Sequence, residues 1–476
     1  MATDLVERLT AKGPGESAGF LNDIIAHLWP NICVAGGKMT ADIANPMFKT
    51  MLPGPLSSLH FTKVDFGKVP MRVSSVIATK TDANGIKLDL SVEWKSKSDI
   101  ELDANMMPAL GVESVELHGR LSVLLAPLTN VIPLIGAVQV AFINPPVLKL
   151  DFTGAANVAD FSAIDGAVRN VILTVINGIL VLPNRILVNL DTNNDYFATF
   201  MYPLGILRVN VDRAWGFAEE SKGKASRIFS KITRSAPDSY AKLSVGAEEP
   251  WKTKTKNNTT HPIWAETHDF IVTDLDQCLK VDVEDEDVGG DDEVGIALTT
   301  VREAMNGAKQ ELSLIRKGVE TEGRVSISSQ FFPFAPAGDS FSAADHKGEG
   351  RLCGLATILI GGAYGIRGAR EELKPSVKVT WGETQKFQTA IKTDSPGMDM
   401  NNPTFDQNFR VPLTSDLVGS GVFRIALLNG EKETGAVEIP FADVLSAPEM
   451  TLQNKFDMGG GATVRASICL RGVRAA

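Results

Sequence analysis

The sequence predicts a mainly β protein with a minority of helix. Long stretches alternate apolar and polar residues. One of the longest, Ile86 to Trp94, is preceded by the hairpin turn signal Asn84-Gly85. Helical spacing is confined within residues 14–194 to Glu16–Trp29 and Asp165–Leu182. At 476 residues, two to four domains are expected.

In chain order, Phe20, Leu21, Ile24, Ile25 and Leu28 form one helical stripe, and Pro30 is expected to end that helix. Met51-Leu-Pro-Gly-Pro reads as a link. Ile86, Leu88, Leu90, Val92 and Trp94 then alternate with polar residues, as do Val115, Leu117, Gly119, Leu121, Val123 and Leu125. Val138, Val140, Phe142 and Leu148, Leu150, Phe152 continue the pattern, so a curled antiparallel meander is expected. The second helix is apolar nearly all round, with nine of the twelve residues from Val171 to Leu182 apolar. A surface helix shows one apolar stripe, so this one needs cover on both sides. A buried core helix, a subunit interface and the wall of an apolar cavity all satisfy that. Ile172, Val175, Ile176 and Ile179 are the candidates for the cavity.

The next stretch turns sharply acidic. Leu279, Val281 and Val283 alternate as a half-buried strand, and eight carboxylates follow between Asp282 and Glu293 with no Lys or Arg. Two carboxylates about 4 Å apart repel by roughly 4 kcal/mol at an effective dielectric of about 20. Hard oxygen donors at this density suit calcium, which takes about 6–8 of them. Asp285-x-Asp287, Asp292 and the Val294-Gly295 after it point the same way. A solvated acidic loop also fits the composition. Upstream, Ser221–Pro237 holds Lys222, Lys224, Arg227, Lys231 and Arg234 with no acid, interleaved with Ile228, Phe229 and Ile232. That suits a short amphipathic element on an anionic membrane, where each basic residue contributes about 1 kcal/mol; a solvated loop is the alternative. Lys252, Lys254 and Lys256 alternate on one expected strand face.

The bulk numbers exclude several classes. A net charge of −10 argues against a general nucleic-acid binder. Cys33, Cys278, Cys353 and Cys469 lie far apart, which suggests reduced thiols in the cytosol rather than a disulfide frame or zinc site. The N-terminus lacks a signal-peptide core and, beginning Met-Ala, a myristoylation signal. Val171–Leu182 is too short for a span of about 20 residues, and Pro133 interrupts Pro127–Phe142. Gly361–Gly368 has Gly-x-x-Gly-x-x-Gly spacing rather than a dinucleotide fingerprint. No Gly-x-Ser-x-Gly elbow, paired catalytic histidine or open metal site is found, so the chain is not expected to be an enzyme.

A family resemblance joins these pieces. Gly15-Glu-Ser-Ala-Gly-Phe-Leu-Asn-Asp-Ile-Ile-Ala-His-Leu-Trp-Pro resembles the opening helix of the SMP (synaptotagmin-like, mitochondrial, lipid-binding protein) domain. Ile135-Gly-Ala-Val-Gln-Val-Ala-Phe and Val181-Leu-Pro-Asn-Arg-Ile-Leu-Val resemble its later strand and C-terminal end. Ala236-Pro-Asp-Ser-Tyr-Ala-Lys-Leu, Trp251-Lys-Thr-Lys-Thr-Lys and Pro262-Ile-Trp264-Ala-Glu266 resemble C2-domain strands. So do Leu355-Ala-Thr-Ile-Leu-Ile, Pro375-Ser-Val-Lys-Val and Asn402-Pro-Thr-Phe-Asp-Gln-Asn-Phe further on. The domain order is similar to that of the extended synaptotagmins. The resemblance implies an SMP (TULIP-like) α+β barrel with an apolar groove at 14–194, a first C2 β-sandwich at 204–332, a linker at 333–350 and a second C2 at 351–474.

It also implies roles. Asp238, Asp285, Asp287 and Asp292 fall on calcium-ligand positions, with Asp291 beside Asp292. A loop-one Asp is missing between Trp215 and Ser221, where Glu219 or Glu220 would supply the oxygen. Trp215, Phe217 and Val288 are candidates to dip into a bilayer. The basic insert, with Phe229, and the Lys252–Lys256 face would meet anionic lipids, phosphoinositides included; an ordinary exposed edge fits the Lys252–Lys256 face equally well. In the second C2, Lys374 stands at the Asp238 position and Asn429 and Glu431 replace the Asp-x-Asp pair, so that domain is expected to be calcium-silent. The expected function is glycerophospholipid transfer and tethering by a cytosolic, peripheral homodimer at membrane contact sites, endoplasmic reticulum to plasma membrane. The alternative is a tether without transfer. Extended synaptotagmins carry an N-terminal membrane hairpin, and this chain starts almost at the SMP domain. Either it is shortened or a membrane-anchored partner supplies the anchor.

Overall fold

The computed structural model describes residues 18–474 apart from 53, 82–83, 106–109, 154–160, 192–194, 218–235, 288–290, 337, 340–350, 383–384, 395–396, 416–417 and 419–420. The chain opens with helix α1 (Gly19–Met51). Pro30 and Pro46 lie inside it. The expectation that Pro30 ends the helix is therefore wrong. An internal proline costs a helix about 3 kcal/mol or more, and here packing offsets it. Trp29, Gly37, Ala44 and Phe48 are buried, and Trp29 Nε1 donates to the Gly67 carbonyl at 2.9 Å. Gly37 lets the helix sit against the next strand: a Cβ there would lie 2.8 Å from the Val64 carbonyl oxygen.

Seven strands follow: β1 (His60–Asp65), β2 (Arg72–Thr81), β3 (Gly85–Asp103), β4 (Leu110–Leu128), β5 (Ile135–Phe142), β6 (Val147–Thr153) and β7 (Ile186–Asn189). They are not a simple meander. β3 and β4 form a paired spine; β1 and β2 share the outer edge of β3, and β5 and β6 share that of β4. The sheet curls into a half-barrel, with α1 and helix α2 (Phe161–Leu180) packed on it.

A short helix, α3 (Tyr196–Thr199), leads to the second domain. Its strands are β8 (Gly205–Trp215), β9 (Ser239–Val245), β10 (Trp251–Lys252), β11 (Ile263–Val272), β12 (Cys278–Asp285), β13 (Asp292–Thr300), β14 (Gln310–Arg316) and β15 (Val319–Pro333). Their order is β10-β9-β12-β13-β14-β15-β8-β11, antiparallel throughout, around a core that includes Leu207, Leu243, Leu279, Val281 and Ile327. β10 is only two residues long. Lys252, Lys254 and Lys256 are thus not one strand face: Lys252 and Lys254 are exposed, Lys256 is half-buried. The third domain is a second sandwich of two four-stranded sheets.

The domains meet through specific contacts. Ile206, Ile271, Phe332, Phe334, Leu352, Leu355 and Val473 form one apolar seam between the two sandwiches. Arg208 grips Asp269 with two bonds, at 2.7 and 2.8 Å, and the Leu352 N–H donates to Asp269 at 2.9 Å. The first two domains meet at a buried polar joint. Arg120 reaches Asp89 at 3.5 Å within its own domain and Asp276 of the sandwich at 3.4 Å. Lys87 pairs with Asp274 at 2.5 Å, and Arg302 closes on Asp276 at 2.9 Å. Burial pushes the Lys87 ammonium down, but Asp274 and Asp89 beside it hold it above its ordinary value. Asn144 donates to the Asp276 carbonyl at 2.9 Å and accepts from the Cys278 N–H at 2.8 Å.

Candidate functional site

Two regions carry the candidate residues. The first is the inner face of the half-barrel. β3 and β4 pair so that Leu90 faces Leu121, Leu88 faces Val123 and Ile86 faces Leu125. Further along the spine the same inner face is sealed, with Val92, Leu110, Val112 and Val115 buried. At this end the burial reverses. The outer side chains Arg120, Ser122, Leu124 and Ala126 are buried, while the inner Ile86, Leu88, Leu121, Val123 and Leu125 stay half-buried. Leu148, Leu150 and Phe152 on β6 are also half-buried. Apolar residues on an inner face are normally sealed in a folded core. Here the face is an incompletely covered apolar surface.

On α2, Val168 and Val171 are buried, and Ile172, Val175 and Ile176 pack against the same cluster while staying half-buried. Ile179 is half-buried as well. Arg169 fixes the helix to the sheet, donating to the Leu148 and Leu150 carbonyls at 3.2 and 3.3 Å. The strand residues of this surface were missed among the sequence candidates. Their alternation was visible, but which end of the spine lies open depends on what covers each end.

The second region is one end of the first sandwich. Register sets it: Ser239 pairs with Asp285, and Asp285 pairs with Asp292. The carboxylates of Asp238, Asp285 and Asp292 are therefore carried to the same end by three adjacent strands. The Asp238 N–H donates to Asp285 Oδ1 at 2.7 Å, and Asp238 Oδ1 accepts from the Asn258 N–H at 2.6 Å. The Asp287 N–H donates to Asp291 at 3.3 Å. Asp291 turns toward the Tyr240 hydroxyl, which donates to it at 2.6 Å and also to Glu284. That bond holds the Asp291 carboxyl below its ordinary value. Burial pushes Glu284 up, but Lys242 and Tyr240 hold it below normal. Burial and the two carboxylates push the Tyr240 phenol up, so it stays protonated. Lys252 lies 3.4 Å over the Tyr240 ring and pairs with Glu286 at 2.9 Å.

Lys242, Lys252 and Tyr240 thus compensate part of the acidic end from within. The sequence reading missed this because the compensating groups come from β9 and β10, while the carboxylates lie on β12 and the loop after it. The donor set is all hard oxygen, which fits calcium. Among the described residues no three such side chains converge on one point as they stand.

Trp215 is half-buried at the end of β8, with Arg213 5.4 Å over its ring. Phe217 packs against the sandwich core instead of projecting from it. Glu219, Glu220, Lys222, Lys224, Arg227, Phe229, Lys231, Arg234 and Val288 lie outside the described residues.

The second sandwich repeats this end with different chemistry. The Lys374 N–H donates to Asn429 Oδ1 at 2.6 Å, and the Gly430 N–H donates to the Lys374 carbonyl at 2.9 Å. The first sandwich has the same pair of bonds, from Asp238 N–H to Asp285 and from Glu286 N–H to the Asp238 carbonyl. Lys374 and Asn429 thus occupy the Asp238 and Asp285 positions. The backbone latch is kept and two carboxylates are gone.

Comparison with known proteins agrees with this architecture. The family model for the synaptotagmin-like mitochondrial-lipid-binding domain matches residues 14–191, and that for the C2 domain matches 205–314 and 357–455. Extended synaptotagmin-2 of Mus musculus is 26% identical over 96% of this chain and 55% of its own length. Extended synaptotagmin-2 of Homo sapiens is 25% identical over 96% of this chain and 50% of its own. The chain spans about half the length of these curated relatives. A solved structure of the SMP, C2A and C2B domains of Extended-Synaptotagmin 2 covers 97% of this chain and 100% of its own, with a TM-score of 0.65 at 24% identity, a likeness of fold. With an SMP lipid-binding domain followed by two C2 domains, the chain is homologous to the extended synaptotagmins over 96% of its length.

Proposed function

We propose that this chain carries glycerophospholipids between closely apposed membranes and docks on anionic membrane through its first C2 domain in a calcium-dependent way. The observation that supports transport is the half-covered inner face of Ile86, Leu88, Leu121, Val123 and Leu125. In water such a face is unfavourable by roughly 25 cal/mol per Å². Acyl chains would cover it while a headgroup stays at the open side. The proposal extends to an SMP homodimer, to a membrane-anchored partner and to contact sites between endoplasmic reticulum and plasma membrane.

Docking is supported by the register that gathers Asp238, Asp285 and Asp292 at one end of the sandwich. These three would hold calcium, with Asp287 and Asp291 beside them. When bound, calcium supplies positive charge and coordination positions that lipid phosphates can fill. Without it, the carboxylates repel an anionic leaflet more than Lys242 and Lys252 compensate. The second C2, with Lys374 and Asn429 at the corresponding positions, would dock or pack without calcium.

The test is co-sedimentation of the full chain with phosphatidylserine-containing vesicles. Binding should rise at least tenfold with calcium over chelator, and Asp238→Asn with Asp285→Asn should remove the difference. Equal binding in calcium and chelator refutes the switch.

A further inference from the structure

Between β4 and β5 the half-barrel ends in a turn, Thr129-Asn-Val-Ile-Pro-Leu134, that no element covers in the described residues. Val131, Ile132 and Leu134 are 68%, 88% and 55% exposed. They sit at the end of the spine where the inner face lies open, three residues past Leu125 at their nearest strand end, Leu128. Leu190 joins the same corner: its N–H donates to the Gly136 carbonyl at 2.9 Å, and it is 44% exposed.

We infer that this turn is a wedge that enters the acyl boundary of a lipid bilayer, at the mouth of the open apolar face. Four observations favour a bilayer over a protein partner. From Leu121 to Leu148 the sequence has no Asp, Glu, Lys or Arg, so no charge in the turn or on the strand ends that flank it opposes entry into hydrocarbon. The turn also closes part of its own backbone. The Leu134 N–H donates to the Val131 carbonyl at 2.6 Å, the Thr129 N–H to the Leu134 carbonyl at 2.8 Å and the Leu128 N–H to the Asn84 carbonyl at 2.9 Å. The Thr129 hydroxyl and the Asn84 side chain satisfy the Val131 and Leu128 carbonyls, each at 2.9 Å. Each backbone group bonded internally lowers the cost of entering lipid, and Pro133 removes a further donor. Third, the tip presents three large exposed side chains, far less than the ~800 Å² per partner of a stable protein interface. Fourth, it is continuous with the half-covered face.

The role of the wedge rests on the carrier reading: it would part the headgroups so that a lipid passes from leaflet to groove without crossing water. The insertion itself is tested separately. The full chain, held by a terminal His tag on phosphatidylcholine vesicles with nickel-chelating lipid, carries Ile132→Trp and is compared with wild type. Brominated phosphatidylcholine should quench the variant's emission by at least a third more than the wild type's; equal quenching overturns the wedge whatever the groove holds. In the second arm, Val131→Ser with Ile132→Ser should slow vesicle-to-vesicle transfer at least fivefold, with co-purified lipid unchanged. An unchanged transfer rate in a lipid-loaded variant overturns the role. If wild type proves empty of lipid, the carrier reading fails by itself, and the quenching arm still decides the insertion.

Discussion

Val123→Glu in the full chain should lower co-purified glycerophospholipid at least tenfold by native mass spectrometry, with little change in melting temperature. Val123 pairs with Leu88 on the half-covered inner face and is itself half-buried. Water still reaches that position in the lipid-free protein, so a carboxylate there is tolerated. Once acyl chains fill the face, the carboxylate loses its water and gains no partner. Burying an unpaired polar group costs roughly 2–7 kcal/mol, and a charge more. A loss of even 1.4 kcal/mol is about tenfold in affinity. Val175→Glu on the facing helix should act the same way, and Val123→Leu should retain lipid. Wild-type protein that purifies empty, with Val123→Glu indistinguishable from it, leaves a tether without transport.

Much of this architecture was legible in one sequence because its signals are local. Period-two alternation marked β3, β4 and β12, and the run of carboxylates marked the end of β12. Pro30 misled because propensity weighs the proline alone, whereas Trp29, Gly37 and Phe48 hold the helix together across it. The meander reading failed for a related reason. Alternation gives strands but no pairing, and a 19-residue strand can serve two short neighbours on one edge. What was least legible was long-range. Tyr240 between Glu284 and Asp291, and Arg120 on Asp276, join residues 44 to 156 positions apart. No pattern in the sequence around Arg120 or Asp276 marks them as a pair.

That pair gives the second large effect. Asp276→Ala should destabilise the joint between the first two domains by about 3–5 kcal/mol, the usual result of removing one partner of a buried ion pair. Arg120 is 7% exposed and would lose the carboxylate that meets it across the joint, while Asp89 stays at 3.5 Å. The Arg302 contact adds little, since that side chain is 55% exposed and such pairs contribute about 0–1 kcal/mol. Small-angle scattering should show a larger radius of gyration, and limited proteolysis should cut sooner between 190 and 204. Calcium-dependent vesicle binding should survive. Asp276 precedes β12 and Asp285 ends it, and eight residues of strand separate the joint from the acidic end by roughly 23 Å at about 3.3 Å per residue. Arg120→Met with Asp276→Leu should recover much of the stability, because it removes both charges of the pair and leaves Asp89 with Lys87 at 3.3 Å. If Asp276→Ala left scattering and melting unchanged, the partners Arg120 keeps within its own domain, Asp89 among them, would suffice, and the two domains would be held by Asn144 and the Lys87–Asp274 pair. Transfer rate then separates two designs. A carrier whose groove must follow the docking domain should slow when the joint opens, whereas one whose groove works on a free linker should not.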